Sequence, residues 1–202
     1  MCPYTKPPGT VAESMEERAR AGVLLLCAEA RAAITRAAEE RLASAGFVVL
    51  APELSTGALC ADRRALQEID AALEMLVHNP DVDRERLGVL GFGRGGTLAF
   101  LLACTRRLAA VVDVDGPVLY PALSAERPIQ PLELALNLEG SFLGVFSGPS
   151  GPVGDEEIEL LRERLSSAAR PFDIVVGPRT LDEELWPRVL AFLRQTLAEA
   201  PD

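Results

Sequence analysis

Histidine is almost missing from this chain: among 202 residues there is one, His78. A chain with a single imidazole has little means of activating a serine or cysteine nucleophile by the usual base. Cysteine is scarce too. Cys2, Cys27, Cys60 and Cys104 stand far apart and form no C-x-x-C pair. That spacing and the lone histidine argue against a structural zinc site, and no metal or cofactor is expected. Thiols kept reduced in a cytoplasmic compartment are the plain reading. Basic residues are in deficit, 20 Lys and Arg against 30 Asp and Glu, a formal net charge of -10. Such a surface repels nucleic-acid phosphates and anionic membranes. No apolar run approaches the roughly 20 residues of a membrane span. The opening residues Met1 to Pro8 lack the basic and then apolar regions of a signal peptide.

What is present is apolar and regularly spaced. Hydrophobic residues make up 49% of the chain, and the mean hydropathy is +0.16, as in a globular domain. Residues 1–20 are polar and proline-bearing and read as a tail or an edge strand. Short continuous apolar runs predict strands buried on both faces at Ala21–Cys27, Phe47–Leu50, Leu87–Leu90, Leu108–Val114, Ser141–Phe146 and Phe172–Val176. Helical spacing predicts helices at Ile34–Ala45, Ala61–Val77, Thr97–Cys104, Asp155–Ala168 and Asp182–Ala198, with a short one at Leu132–Leu138. Gly46 reads as a helix stop. Pro52–Gly57 and Pro117–Pro131 read as loops, and Asn79-Pro80-Asp81 as a turn. Six alternations without a composition break predict one α/β domain over 21–202. Its sheet should be mainly parallel, of about six or more strands, with helices on both faces. Ligands of such sheets bind at the carboxyl ends of the strands.

One of those ends carries Gly91-Phe92-Gly93-Arg94-Gly95-Gly96, a glycine turn between strand and helix. It fits the dinucleotide pattern G-x-G-x-x-G, with Asp113 or Asp115 at the spacing of a ribose ligand. It also has the outline of a nucleophile elbow whose middle position, Gly93, is empty. The dinucleotide fingerprint normally follows the first strand of its domain, and here two strands come before it. Asp81-Val82-Asp83-Arg84-Glu85 faintly suggests a calcium loop, but Arg86 stands where glycine is needed and Phe92 where glutamate is needed. His78, ending a helix before Asn79-Pro80, reads as a solvated or capping residue.

Several segments together resemble the dienelactone hydrolase family of α/β-hydrolases. They are Ala45 to Leu54, Pro80 to Phe92, Gly95-Gly96, and the closing helix with Leu185-Trp186 and Leu190 to Leu193. The likeness runs in order from about Gly22 to about Leu197. It implies an α/β-hydrolase fold without a separate lid domain, and a Cys-His-Asp triad acting on lactones and related esters. Matched to the family's pattern, the nucleophile position falls on Gly93, the acid on Gly151 and the histidine on Thr180. The resemblance therefore implies a member without its triad. The expected function is binding of a small molecule, or a reaction needing no nucleophile, such as cyclisation, isomerisation or dehydration. Candidate ligand contacts are Cys27, Glu29, Phe92, Arg94, Asp115 and Arg179, with the N–H groups near Arg94 and Gly95 as an oxyanion site. Glu29 or Asp115 in a dry pocket would serve as general acid or base. Two alternatives stay open. One is a hydrolase with a displaced nucleophile, Cys27, Ser147 or Ser150, and a carboxylate base. The other is a dinucleotide-binding protein. The expected partner is a small molecule, with a homodimer left open.

Overall fold

In the computed structural model, described for residues 19–27, 32–148, 151–177 and 185–198, strand and helix alternate as the apolar runs require. The strands are β1 Arg20–Cys27, β2 Val48–Leu50, β3 Val82–Phe92, β4 Ala110–Val114, β5 Ser141–Phe146 and β6 Phe172–Val176. The helices are α1 Ala32–Ser44, α2 Thr56–Cys60, α3 Asp62–Val77, α4 Arg94–Ala103, α5 Asp155–Ala168 and α6 Leu185–Thr196. A 3-10 helix spans Pro131–Asn137. The sheet order is β2-β1-β3-β4-β5-β6, and every pairing is parallel.

Each strand end therefore points the same way, and the crossover from the first to the second half of the sheet lies between β1 and β3. This is where such sheets open a crevice for a ligand. The central strands are Leu- and Val-rich because both faces are covered. On one face Leu24, Leu26, Val89 and Val111 pack under α3, α4 and α5. On the other, Val23, Leu25, Leu90 and Val112 pack under α1 and α6. Leu98, Phe100 and Leu102 of α4 are fully buried. At about 2 kcal/mol per such side chain, burial is the main contribution that holds this apolar helix. Phe100 meets Phe142 of β5 edge to face, ring centroids 5.7 Å apart.

Four departures from the sequence reading have physical causes. β3 starts at Val82, not Leu87, because Val82 and Asp83 pair with Arg20 and Ala21 before the register shifts at Ala21/Gly22. β1 accordingly takes in Arg20. α4 starts at Arg94, directly on the elbow, because glycine does not forbid a first turn that tertiary packing imposes. Part of the stretch read as the loop Pro52–Gly57 enters α2. Only Asp81 of the stretch Asp81 to Glu85 belongs to the turn; Val82 to Glu85 already lie in β3, with Asp83 Oδ1 accepting the Glu85 N–H at 3.0 Å. Gly46 does stop its helix, at φ +96°. His78 caps α3, its Nδ1–H donating to the Glu74 carbonyl at 2.7 Å.

Candidate functional site

Gly93 is the single residue between β3 and α4. It sits at φ +53° and ψ -122°, a conformation few side-chain-bearing residues adopt. Its N–H donates to the Val114 carbonyl of β4 at 2.7 Å. Its own carbonyl accepts from Gly96 and Thr97 at 2.8 and 3.2 Å. The turn is thus pinned to its neighbour strand and to the helix it starts. The flanking glycines are required by close approach. A Cβ on Gly91 would overlap the Gly95 carbonyl, and one on Gly95 would overlap the Leu26 carbonyl of β1. At Gly93 the reverse holds, for a Cβ there would meet nothing within 4 Å. Among the four glycines of the elbow, the tip is the one place with room for a side chain.

Behind the turn lies Asp113 of β4, fully buried. A Cβ on Gly96 or on Gly116 would overlap its Oδ1, so both glycines leave room for this carboxyl. Oδ1 accepts the Gly116 N–H at 2.8 Å. Oδ2 is buried with no partner. Burial pushes the carboxyl well above the ordinary range. The Gly116 N–H opposes that shift, and the charges of Asp115 and Glu157 add to it. These surroundings favour the neutral form of Asp113. It is out of reach of any ribose, which removes it as the acidic partner of a dinucleotide loop.

Asp115 has left the strand in the left-handed region, φ +55°. Its backbone N–H donates to the Val145 carbonyl at 2.9 Å. Its carboxylate takes two bonds from one residue after β5, the Ser147 N–H at 2.7 Å and the Ser147 hydroxyl. Asp115 is a clamp between two strand ends, and its oxygens are engaged. Glu157, in the first turn of α5, does similar work. It accepts the N–H groups of Val118 and Leu119 at 2.6 and 2.7 Å. Burial raises its carboxyl above the ordinary range, and those N–H groups oppose the rise.

Arg94, the residue after the turn, does not reach open into the crevice. Its side chain bonds the Asp62 carboxylate at the start of α3, and the Tyr120 hydroxyl at 2.6 Å. Tyr120 in turn donates to Asp62 at 3.0 Å. The guanidinium carbons of Arg94 and Arg127 lie 5.6 and 5.1 Å from the Tyr120 ring centroid. Asp62 and Tyr120 are buried. Burial leads the causes that push the Tyr120 hydroxyl up to about 12, so it stays a donor. Gln130 fixes the backbone of Tyr120 from both sides, at 2.5 and 3.0 Å. The loop after β4 is thereby tied across the elbow to α2 and α3.

Cys27 is half-buried and in register with Phe92, one residue before the turn. Phe92 packs toward α1 and α6, so it closes the far side of the sheet rather than lining the crevice. Gly151 lies after β5, its N–H donating to the Gly148 carbonyl at 2.8 Å. Glu29, Ser150, Arg179 and Thr180 lie outside the described residues. Among those described, no group of histidine, cysteine or carboxylate residues could hold a metal ion. No described helix is long and apolar enough to cross a membrane. A groove of about 470 Å³ between α1 and α6, lined by Glu40, Arg41, Leu190 and Arg194, opens on the opposite face of the sheet from α4. The roles of Asp62, Tyr120, Arg127, Gln130 and Glu157 had no sequence signal. Each depends on a partner in another element.

A parallel sheet that turns into its covering helix through a glycine elbow after the third strand is an α/β-hydrolase fold. The chain belongs to the dienelactone hydrolase family, which it matches over residues 17–179. A Bradyrhizobium sp protein assigned as a 2-oxo-3-(5-oxofuran-2-ylidene)propanoate lactonase is 34% identical over 108 residues, 46% of this chain and 44% of its own. A Salmonella typhi protein assigned as a carboxymethylenebutenolidase is 28% identical over 157 residues, 68% of this chain and 57% of its own. The chain thus spans about half the length of these relatives. Solved structures share the fold. A protein from Klebsiella pneumoniae assigned as a dienelactone hydrolase superposes with a TM-score of 0.76 at 23% identity, covering 88% of each chain. A dienelactone hydrolase-like promiscuous phosphotriesterase from metagenomic libraries superposes with a TM-score of 0.73 at 18% identity, covering 89% of this chain and 87% of its own.

Proposed function

We propose that this chain is a member of its family that has given up covalent hydrolysis and serves as a small-molecule binding protein. One observation carries the reading. The turn keeps the backbone of a nucleophile elbow, with open space at its tip, and the residue there is glycine. Acyl transfer by this route needs an attacking lone pair at the tip and a base to activate it. Gly93 supplies no atom. The family's acid position falls on Gly151 and its histidine position on Thr180. His78 caps a helix and is committed to Glu74. What the elbow retains is backbone, with N–H groups at the start of α4 that no turn of the helix can satisfy from within. Such groups suit a carbonyl or an anionic oxygen of a bound molecule.

The described carboxyls near the elbow argue for binding ahead of catalysis. Asp113 is fully buried behind the turn. Asp115 is taken by Ser147, Glu157 by two backbone N–H groups, and Asp62 by Arg94 and Tyr120. Each is committed to holding a loop, and a general acid or base must be able to reach its substrate. A reaction without a nucleophile (a cyclisation, isomerisation or dehydration) would then rest on Glu29. Two results test the proposal. Neither Gly93→Cys nor Gly93→Ser should restore lactone hydrolysis, since no histidine among the described residues stands beside the tip. Native mass spectrometry of the purified protein should retain a small organic ligand. Hydrolysis gained on adding one nucleophile would show that the base and acid are still present, and would overturn the reading.

A second reading is favoured by one contact, the Ser147 hydroxyl on the Asp115 carboxylate. Serine and a carboxylate acceptor are the parts of a displaced nucleophile and its base. The same carboxylate also holds the Ser147 N–H, which is how a loop clamp looks. Ser147→Ala separates them. Loss of an esterase rate supports the displaced nucleophile, and a lowered melting temperature with no rate to lose supports the clamp.

A further inference from the structure

At the other end of α4 the chain builds a second concavity. The groove encloses about 370 Å³ and is lined by the residues that follow α4, by those that end the 3-10 helix, and by Arg170. All lie before β5 or β6 or after a helix, so the groove sits at the amino ends of the strands. The elbow is at the carboxyl ends. The ten residues of α4 separate the two by on the order of 15 Å.

We propose that this groove is an anion site for a phosphorylated small molecule. Its charge is unlike the rest of the chain. On a protein of net charge -10, three arginines from two separate segments, Arg106, Arg107 and Arg170, converge on one hollow, against one carboxylate, Glu139. Arg106 is satisfied by Asp70 at 2.5 Å. The other two are held less firmly. Arg107 is 84% exposed and makes only a loose, solvated ion pair with Glu139 at 3.8 Å. Arg170 follows the left-handed Ala169 that ends α5, and makes no ion pair or hydrogen bond with a described residue. Favourable placement at a helix C-terminus accounts for a cation beside α4. It does not account for the convergence of side chains from two helix ends on one hollow. One guanidinium without a described counter-charge and one paired only loosely leave the hollow with positive charge that a multiply charged anion would meet. A phosphate ester carries between one and a half and two negative charges near neutral pH, and presents oxygens at the spacing of the guanidinium fork. Asn137, also on the wall, offers an amide donor with no partner in the described residues. Cys104 on the floor adds no repulsion, since burial pushes its thiol up to about 12 and keeps it neutral. The volume falls at the small end of metabolite sites.

The test is isothermal titration of the full chain with inorganic pyrophosphate, with citrate as a second arm, at low and moderate salt. Pyrophosphate should bind at millimolar or lower concentration and weaken with salt. The double variant Arg107→Ser, Arg170→Ser should weaken it at least about tenfold, the scale of losing charge-assisted bonds. Both side chains are exposed, so the variant's thermal melt should match that of the original chain. Absence of heat with pyrophosphate overturns the proposal, as does binding unchanged in the double variant. Citrate binding without pyrophosphate binding overturns the phosphate assignment.

Discussion

Asp113 shows at the scale of one residue how a buried group leaves a trace in solution. Its carboxyl is neutral in the folded chain and ionised in the unfolded chain over the range between the ordinary carboxylate value and its own raised one. The folded state therefore binds more protons, and stability falls as pH rises through that range. Asp113→Asn keeps the Gly116 bond and removes the titration. The variant should match the original chain near pH 4 and be the more stable of the two near pH 8, read from melting curves over pH. An identical slope in both would show that Asp113 is ionised in the fold. Arg94 gives a second residue-scale prediction. Its side chain is 16% exposed and that of Asp62 11%. Arg94→Ala strands a buried carboxylate and should cost about 3 kcal/mol in denaturant unfolding. A loss well under 1 kcal/mol would mean that the pair is solvated. Neither effect could be read in the sequence, because Arg94 and Asp62 stand 32 residues apart and nothing local marks Asp62 as more than a helix start.

The elbow is the element where legibility divides. Its glycines were visible as letters, but what each one does was not. Gly91 and Gly95 serve contacts with backbone, Gly96 serves Asp113, and Gly93 serves only its own positive φ. Substitution to alanine should sort them. Gly93→Ala should cost about 1–3 kcal/mol, the scale of a strained backbone position. Gly91→Ala and Gly95→Ala should cost more, up to failure to fold, because backbone atoms occupy the space of the new methyl. Soluble expression and melting temperature decide the order. Equal losses at all three would contradict the geometry. Most strands and helices were legible because a strand covered on both faces must be a continuous apolar run. The extension of β3 to Val82 was not. Its first residues pair with β1 across a register shift, and the charged run Asp83 to Arg86 hides the strand. α4 was shortened in the sequence reading for a related reason, since four glycines in the six residues Gly91 to Gly96 lower helix propensity, and packing overrides it.

At the scale of the whole molecule, the sheet offers two ends with different chemistry. The carboxyl end holds a glycine elbow surrounded by carboxyls that are already committed. The amino end holds an arginine groove on an acidic protein. The family was legible from the order of several weak segments, and membership is established by the match over residues 17–179. At the site, what was legible in the sequence is the glycine at the tip of the elbow, Gly93. The network that now fills its surroundings, Arg94 with Asp62 and Tyr120 and Asp115 with Ser147, appears only when the strands are laid side by side. The central claim is that the elbow of this chain performs no acyl transfer. The most direct measurement is the initial rate of hydrolysis of an unsaturated γ-lactone and a short aryl ester by the purified, unmodified chain at micromolar concentration. The account predicts a rate equal to that of buffer for both substrates. Saturable turnover, abolished by Cys27→Ala or by Ser147→Ala, would contradict it.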